Sequence, residues 1–221
     1  IMIKDSVKQR TKKKVWGVIF NCLSSRAVHI DVTEDYGTDS ILQVIRKFMC
    51  VRKCPSEFLS DQGSQLIAAA KDIAELASWD WSQIEKFCTE RKIKCTLAPA
   101  EGQHQNGVSE ALIKSTKRTI KHTIGNHVCT AMELQTVLFE IANIINSRPL
   151  EIISGSDPSN PIPITPNGLL TGDNANDVPQ GPFDMTTPTT KRFRFLQQLV
   201  DAWWEQWYKV VLPSLVPSYK W

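Results

Sequence analysis

The feature that most constrains the fold of this chain is an alternation of strand-length apolar runs with longer amphipathic patterns between residues 15 and 150. Residues 15–23 (VWGVIFNCL) and 27–32 (AVHIDV) are apolar or alternating and are separated by only three residues, so they predict an antiparallel hairpin. Two more strand-length segments, 57–60 and 94–98, are separated by helical sequence. Strands and amphipathic helices in this order predict an α/β fold, a mixed sheet flanked by helices.

Helical periodicity accounts for most of the remaining sequence up to residue 150. Apolar residues at i, i+3, i+4 and i+7 predict a helix that begins near Thr38 and Asp39, which offer an N-cap, and that ends before Pro55. Four more helices are predicted, at residues 65–77, 82–91, 108–125 and 131–146. The last of them carries six apolar residues on one side, which we expect in the core: Leu134, Val137, Leu138, Ile141, Ile144 and Ile145.

Composition predicts three segments: a core domain at 1–150, a connector at 151–190 and a C-terminal helical segment at 191–221. Residues 151–190 contain five acids and no Lys or Arg, and residues 149–188 hold eight of the twelve prolines, a composition typical of a linker. Within the connector, residues 165–170 (TPNGLL) are expected to anchor one apolar turn. The tryptophans of the last segment lie at helical spacing, which favours packing over base stacking.

Charge and motif content exclude several classes of protein. The net charge of +3 is concentrated in residues 1–14, whose local charge is +5, and this segment is either a solvated loop or a contact for a polyanion. No apolar run is long enough to span a membrane, so we expect an intracellular protein without membrane partners. The six cysteines predict reduced thiols that act as small buried hydrophobes, and zinc-finger spacing, a P-loop and GxSxG are all missing from the sequence.

Two acids, Asp61 and Glu110, occupy positions where carboxylates can do chemistry. Asp61 follows a predicted strand and precedes a glycine turn, where α/β folds expose functional side chains; a turn-forming aspartate is the alternative. Glu110 lies in the first turn of a predicted helix, where an acid also stabilises the helix dipole. Both interpretations remain open from the residues alone.

The helix of Glu110 also carries a lysine face. At 100° per residue, Lys114, Lys117 and Lys121 lie within about 40° of Glu110. Such a face is either a solvated surface or a track for phosphates beside an acid that holds a divalent cation. The polar loop that precedes the helix contains Gln105 and Asn106, which could contact nucleic acid.

These residues belong to motifs that resemble those of retroviral-type integrases. Residues 59–65 (LSDQGSQ) are similar to the second-Asp motif of that family, and residues 93–110, ending in HQNGVSE, are similar to its strand, loop and catalytic-Glu helix. Further segments make the resemblance closest to the integrase region of Pao/Bel-type long-terminal-repeat retrotransposon polyproteins: residues 15–20, 26–30, 144–150 and 165–166.

The resemblance implies a ribonuclease H-like fold with an Asp, Asp, Glu triad that binds two Mg²⁺ or Mn²⁺ ions. Asp61 would be the second acid and Glu110 the third, with Lys114 and Lys117 matching lysines that contact DNA ends. The implied reactions are trimming of element DNA ends and strand transfer into target DNA, by an oligomer acting in the nucleus. The first Asp is expected upstream of Ile1, so this excerpt is predicted to be inactive.

Two other functions compete with an integrase. One is a non-catalytic nucleic-acid-binding or assembly module derived from such a core. The other is a ribonuclease H-like nuclease that cuts DNA without joining it. The 48 residues between Asp61 and Glu110 exceed the spacing of the retroviral pattern, and an extra helical stretch near residues 78–83 accounts for the excess.

Overall fold

The computed structural model shows a mixed helix-and-strand protein, so the α/β expectation is confirmed at this level. The structure describes residues 1–4, 11–35, 37–61, 80–98, 107–124, 127–153, 159, 162–172, 181–182 and 192–215. For some residues within or at the ends of these segments, Asp61 and Glu110 among them, only the backbone is described.

The strands are short: β1 (Met2–Lys4), β2 (Lys13–Lys14), β3 (Trp16–Asn21), β4 (Val28–Thr33), β5 (Glu57–Asp61), β6 (Lys94–Ala98), β7 (Cys129–Thr130), β8 (Glu151–Ile152) and β9 (Pro163–Ile164). Within the described ranges they pair in four small sheets, β2-β1-β7, β3-β4, β5-β6 and β8-β9. The helices are α1 (Thr38–Arg52), α2 (Trp81–Thr89), α3 (Gly107–Ile124), α4 (Ala131–Asn146), α5 (Pro166–Thr171) and α6 (Arg192–Leu215). The predicted helix at 65–77 lies outside the described residues.

The chain divides into two compact units. The first contains Ile1, residues 14–18 and residues 31–107, and the second contains residues 2–13, 19–30 and 108–221. The predicted boundaries at 150/151 and 190/191 stay predictions. Among the described residues, none of the helices is both long enough and apolar enough to cross a lipid bilayer.

The first unit is built on the parallel pair β5–β6. Backbone pairing runs from Glu57 opposite Lys94 to Asp61 opposite Ala98. Helix α2 packs on β6 and α1 contacts α2, with the rings of Phe48 and Phe58 6.0 Å apart. A core of apolar side chains joins these elements: Ile41, Val44, Ile45, Ile84, Cys88 and Ile93.

The start of α1 differs from the prediction. Thr38 was expected to contribute an N-cap, but the cap position is Gly37 and has no side-chain hydrogen bond. The Thr38 hydroxyl instead accepts a hydrogen bond from the backbone N–H of Asp80 at 2.8 Å. Because Asp80 is 42 positions further along the chain, a local pattern could not have revealed this partner.

The second unit has its densest packing around α4. All six residues that were predicted to face the core from this helix are buried, and Leu134, Ile141 and Ile145 are fully inaccessible to solvent. Helix α6 packs against α4 and buries Trp203 and Trp207, whose rings stack 5.4 Å apart. The packing interpretation of these two tryptophans is therefore confirmed; Trp221 lies outside the described residues.

Two side chains at the end of α4 attach it to the turn between β3 and β4. The amide of Asn146 donates from Nδ2 to the Val28 carbonyl at 2.8 Å and accepts at Oδ1 from the Val28 N–H at 2.7 Å. Arg148 donates from Nη2 to the carbonyl of Arg26 at 2.8 Å. The segment 144–150 therefore has a structural role, which is to connect helix and hairpin.

Residues 165–170 of the connector are attached to the rest of the second unit, as predicted, but polar groups form the attachment. Thr165 caps α5 by accepting a hydrogen bond from the Gly168 N–H at 2.9 Å, and both Thr165 and Pro166 are buried. Asn167 donates to the side-chain oxygen of Asn143 at 2.9 Å. The apolar Leu169 and Leu170 are exposed, so the apolar turn that was expected to anchor this segment is wrong.

The cysteine prediction is confirmed in part. All six thiols are free, and Cys88 and Cys129 are buried as expected. The other four are exposed, so the prediction of buried hydrophobes is wrong for them: Cys22, Cys50, Cys54 and Cys95. Burial, with a hydrogen bond to Cys95 as a second cause, raises the pKa of Cys88 to about 12, so its thiolate is scarce near neutral pH.

An ion pair joins the first turn of α4 to the first turn of α6. Arg192 donates from Nε to Oε1 of Glu133 at 2.7 Å and from Nη2 to Oε2. Glu133 also completes a capping box with Thr130, whose N–H it accepts at 2.8 Å. The bond from Arg192 is the largest cause that lowers the pKa of Glu133 from 4.5 to about 2.

We expect this ion pair to make the free energy of unfolding depend on pH in the acidic range. Because folding lowers the pKa of Glu133, its contribution is complete above pH 4.5 and is lost as the pH falls towards about 2. Arg192→Gln removes the main cause of the shift and should flatten the pH dependence of unfolding free energy over this range. Urea denaturation at a series of pH values measures the effect.

Arg194→Gln is the matched control, since Arg194 is exposed on the same helix and two residues away. Its pH dependence should follow that of the unmodified protein. Equal flattening in both variants would assign the acid sensitivity to general charge rather than to the Glu133 pair.

Candidate metal and nucleic-acid site

Asp61 ends β5 at the carboxyl end of a parallel strand pair. The pairing places its backbone opposite that of Ala98, the last residue of β6. The predicted position of Asp61 at a strand end is therefore confirmed for the backbone. Functional side chains often occupy this edge in α/β proteins, because the chain leaves the sheet there and exposes them.

At the opposite end of the same strand pair, Glu57 already has partners. Its carboxylate accepts a hydrogen bond from the Thr96 hydroxyl and lies 3.2 Å from the ammonium of Lys94. The Thr96 hydrogen bond, followed by that of Lys94, lowers the pKa of Glu57. This acid is engaged four residues before Asp61 on β5, so we do not include it in the candidate metal site.

Glu110 lies in the first turn of α3. The helix begins at Gly107, within one residue of the predicted start, and continues to Ile124. Asp61 belongs to the first unit and Glu110 to the second, and both side chains lie outside the described part of the structure. Their proposed sharing of a cation stays a prediction.

The lysine face of α3 is exposed. Lys114, Lys117 and Lys121 all point to solvent. Among the described side chains of this helix, four are buried: Thr116, Thr119, Ile120 and Ile124. The face predicted from the sequence therefore consists of accessible cations above a packed surface, which is the arrangement that contact with a polyanion requires.

Sequence reasoning missed one cation of this surface. Arg118 is also exposed, and it lies four residues after Lys114 and three before Lys121. That spacing places it beside the lysine face, and the i, i+4 rule alone could have identified it. Exposed guanidinium groups bind phosphate in a bidentate manner, so Arg118 extends the cationic surface of α3.

Two other predicted contributors, Gln105 and Asn106, lie outside the described residues. Within the described ranges, His, Cys, Asp and Glu side chains do not gather in groups of three or more that could hold a metal ion. Carboxylates are nonetheless the oxygen ligands that Mg²⁺ and Mn²⁺ prefer, so the donor chemistry of Asp61 and Glu110 fits such an ion.

The sequence matches no protein-family model, and no curated protein matches it.

Proposed function

We propose that this chain is the catalytic core of a retroelement integrase of the Pao/Bel type, with a ribonuclease H-like fold. The proposal includes metal-dependent processing of DNA ends and their transfer into target DNA, by an oligomer in the nucleus. The observation that carries it is the exposed cationic face of α3, which begins one turn after Glu110 on the same helix. The position of Asp61 at the end of a parallel strand adds support.

In this proposal the residues have separate tasks. The carboxylates of Asp61 and Glu110 would hold two Mg²⁺ or Mn²⁺ ions as two of the three acids of the triad, and the ions would supply the activation of water or a 3′-hydroxyl. Lys114, Lys117 and Lys121 would hold the phosphates of the DNA end. Metal-dependent joining would need all three acids of the triad, whereas DNA binding would need only the cations of α3.

The same face also supports the non-catalytic alternative, a nucleic-acid-binding module. Phosphate contacts need only accessible cations, and those of α3 are accessible whether or not metal is bound nearby. The two functions differ in their need for Asp61 and Glu110. A binding module is indifferent to both acids, whereas an integrase loses metal-dependent joining when either is neutralised.

The DNA-binding part of the proposal is tested by charge reversal. Lys114→Glu with Lys117→Glu should weaken binding to a labelled duplex by about 10- to 100-fold at low salt, because each lost phosphate contact removes counterion release. The slope of log affinity against log salt should fall by about 2. Fluorescence anisotropy across a salt series measures both quantities.

Lys86→Glu with Lys209→Glu is the matched control, since both lysines are exposed on other helices, α2 and α6. A similar loss in the control would mean that general charge, rather than the α3 face, drives binding. A loss that is independent of salt, together with a changed circular dichroism spectrum, would indicate misfolding and would leave the face without a demonstrated role.

A further inference from the structure

The side chain of Arg148, which follows α4, contacts the backbone of Arg26 near the end of the β3–β4 turn. Arg148 donates from Nη1 to the carbonyl of Ile145 and from Nη2 to the carbonyl of Arg26, both at 2.8 Å. The second bond holds the backbone of Arg26 against the guanidinium of Arg148. Both side chains are half-buried, and both belong to the second unit.

Neither cation has an acidic partner in the described part of the chain. The ion pairs there are Lys47–Asp31, Arg91–Glu90, Lys94–Glu57 and Arg192–Glu133. Burial first, and the charge of Arg26 second, lower the pKa of Arg148 to about 10. The charge of Arg26 therefore acts on a partly buried guanidinium that has no acidic partner among the described residues, and the carbonyl end of α4 offsets only about half a charge.

Backbone attachment by Arg148 does not account for this arrangement. The two bonds of Arg148 explain why a donor follows α4, but they do not explain why the residue whose carbonyl it contacts also carries a positive charge. The side chain of Arg26 makes none of the hydrogen bonds or ion pairs found among the described residues, so all five of its N–H donors are available. Arg148 uses two of its five donors, which leaves three.

We propose that Arg26 and Arg148 together bind a phosphate oxyanion, and specifically a backbone phosphodiester of nucleic acid. Guanidinium groups match the oxygens of phosphate with paired N–H donors, and an anion between them would remove their mutual repulsion. The choice of nucleic acid rests on the proposed function, because the exposed cations of α3 belong to the same unit. The pair would thus be a second phosphate contact, separate from the lysine face.

Arg26→Asn is the variant that tests the pair. Arg26 has a φ of 58°, a left-handed backbone that asparagine adopts more readily than most residues, so the turn should survive. We expect affinity for a labelled duplex to fall by about 5- to 10-fold at low salt, as for the loss of one charge-assisted phosphate contact. Removing the repulsion should leave the melting temperature unchanged or higher.

Lys92→Asn is the matched control, because Lys92 is exposed, carries the same charge and has a φ of 57°. It should change DNA affinity less than about 2-fold, as expected for a cation that contacts no phosphate. An equal loss in both variants would overturn the assignment of a specific site. So would Arg26→Asn binding with unchanged affinity and an unchanged salt slope.

Two further probes distinguish nucleic acid from other anionic ligands. Inorganic pyrophosphate tests a free anion, and a poly-glutamate peptide tests an acidic protein segment. The proposal expects the duplex to raise the melting temperature of the unmodified protein at concentrations at which neither probe does. Stabilisation by either probe that is lost in Arg26→Asn, with unchanged duplex binding, would overturn the choice of nucleic acid.

The outcomes also separate this inference from the proposed function. If charge reversal at Lys114 and Lys117 weakens duplex binding while Arg26→Asn does not, the arginine site is wrong and the nucleic-acid face stands. If the unmodified protein binds no duplex at all, both the proposed function and the assignment of a phosphodiester are overturned.

Discussion

Asn146→Ala should lower the free energy of unfolding by about 2–4 kcal/mol, since it leaves a buried N–H and a buried C=O of Val28 without partners. Asn146 is completely buried, and Val28 is almost completely buried, so water cannot replace the lost bonds. The amide of Asn146 pairs with the N–H and the C=O of Val28, as the backbone of a neighbouring strand would. Urea denaturation followed by tryptophan fluorescence measures the change.

Two further variants separate the hydrogen bonds from the packing. Asn146→Leu fills the space but still leaves Val28 unpaired, so it should be nearly as destabilising as Asn146→Ala. Asn143→Ala removes an exposed asparagine one turn earlier on the same helix and should cost about 1 kcal/mol or less. If Asn146→Leu were as stable as the unmodified protein, packing rather than the paired bonds would explain the effect.

The elements could be predicted because their signals are local. Residues 94–98 and 131–146 have the same bounds in the sequence pattern and in the structure, since a short apolar run defines the strand and apolar periodicity defines the helix. Parallel pairing of β5 with β6 agrees with a long connection that contains α2, since parallel strands need a crossover of a dozen or more residues. Local patterns therefore predicted the type and the order of the longer described elements up to residue 146, but not the short strands β1, β2 and β7.

The contacts that hold these elements together could not be predicted in the same way. Asn146 meets Val28 across 118 positions, and Arg148 meets Arg26 across 122. Both pairs join polar groups, which hydrophobic periodicity does not record. The exposed Leu169 beside a buried Thr165 shows the same limit, because polar partners far away in sequence determined which side of the segment was buried.

In the candidate site, the cationic face could be predicted from local sequence, whereas the pairing of the two acids could not. The cations of α3 followed from helical geometry, and their exposure agrees with it. The pairing of Asp61 with Glu110 came from the resemblance to integrases, since no spacing rule joins two acids in different elements. A strand end and a helix start become one site only through tertiary structure, so the test of this pairing is chemical.

Glu110→Gln should abolish divalent-metal-dependent joining of DNA ends in a protein that carries a complete Asp, Asp, Glu triad. The fall should be at least about 10³-fold, as for removal of a group that acts as part of a catalytic unit. In the present chain, the same variant should weaken Mn²⁺ binding by at least about 10-fold, because a neutral amide replaces a charged ligand. Oligonucleotide joining and calorimetric titration measure the two effects.

DNA binding should change little in Glu110→Gln, because the phosphate contacts are assigned to the lysines of α3 and not to the acid. Glu205→Gln, which neutralises an exposed acid on α6, is the matched control and should leave both joining and Mn²⁺ affinity unchanged. Unchanged joining in Glu110→Gln would remove this acid from the mechanism and favour the binding module. Nicking without joining in the unmodified protein would instead favour a nuclease, because both enzymes need the metal-binding acids but only an integrase holds a DNA end in place for transfer.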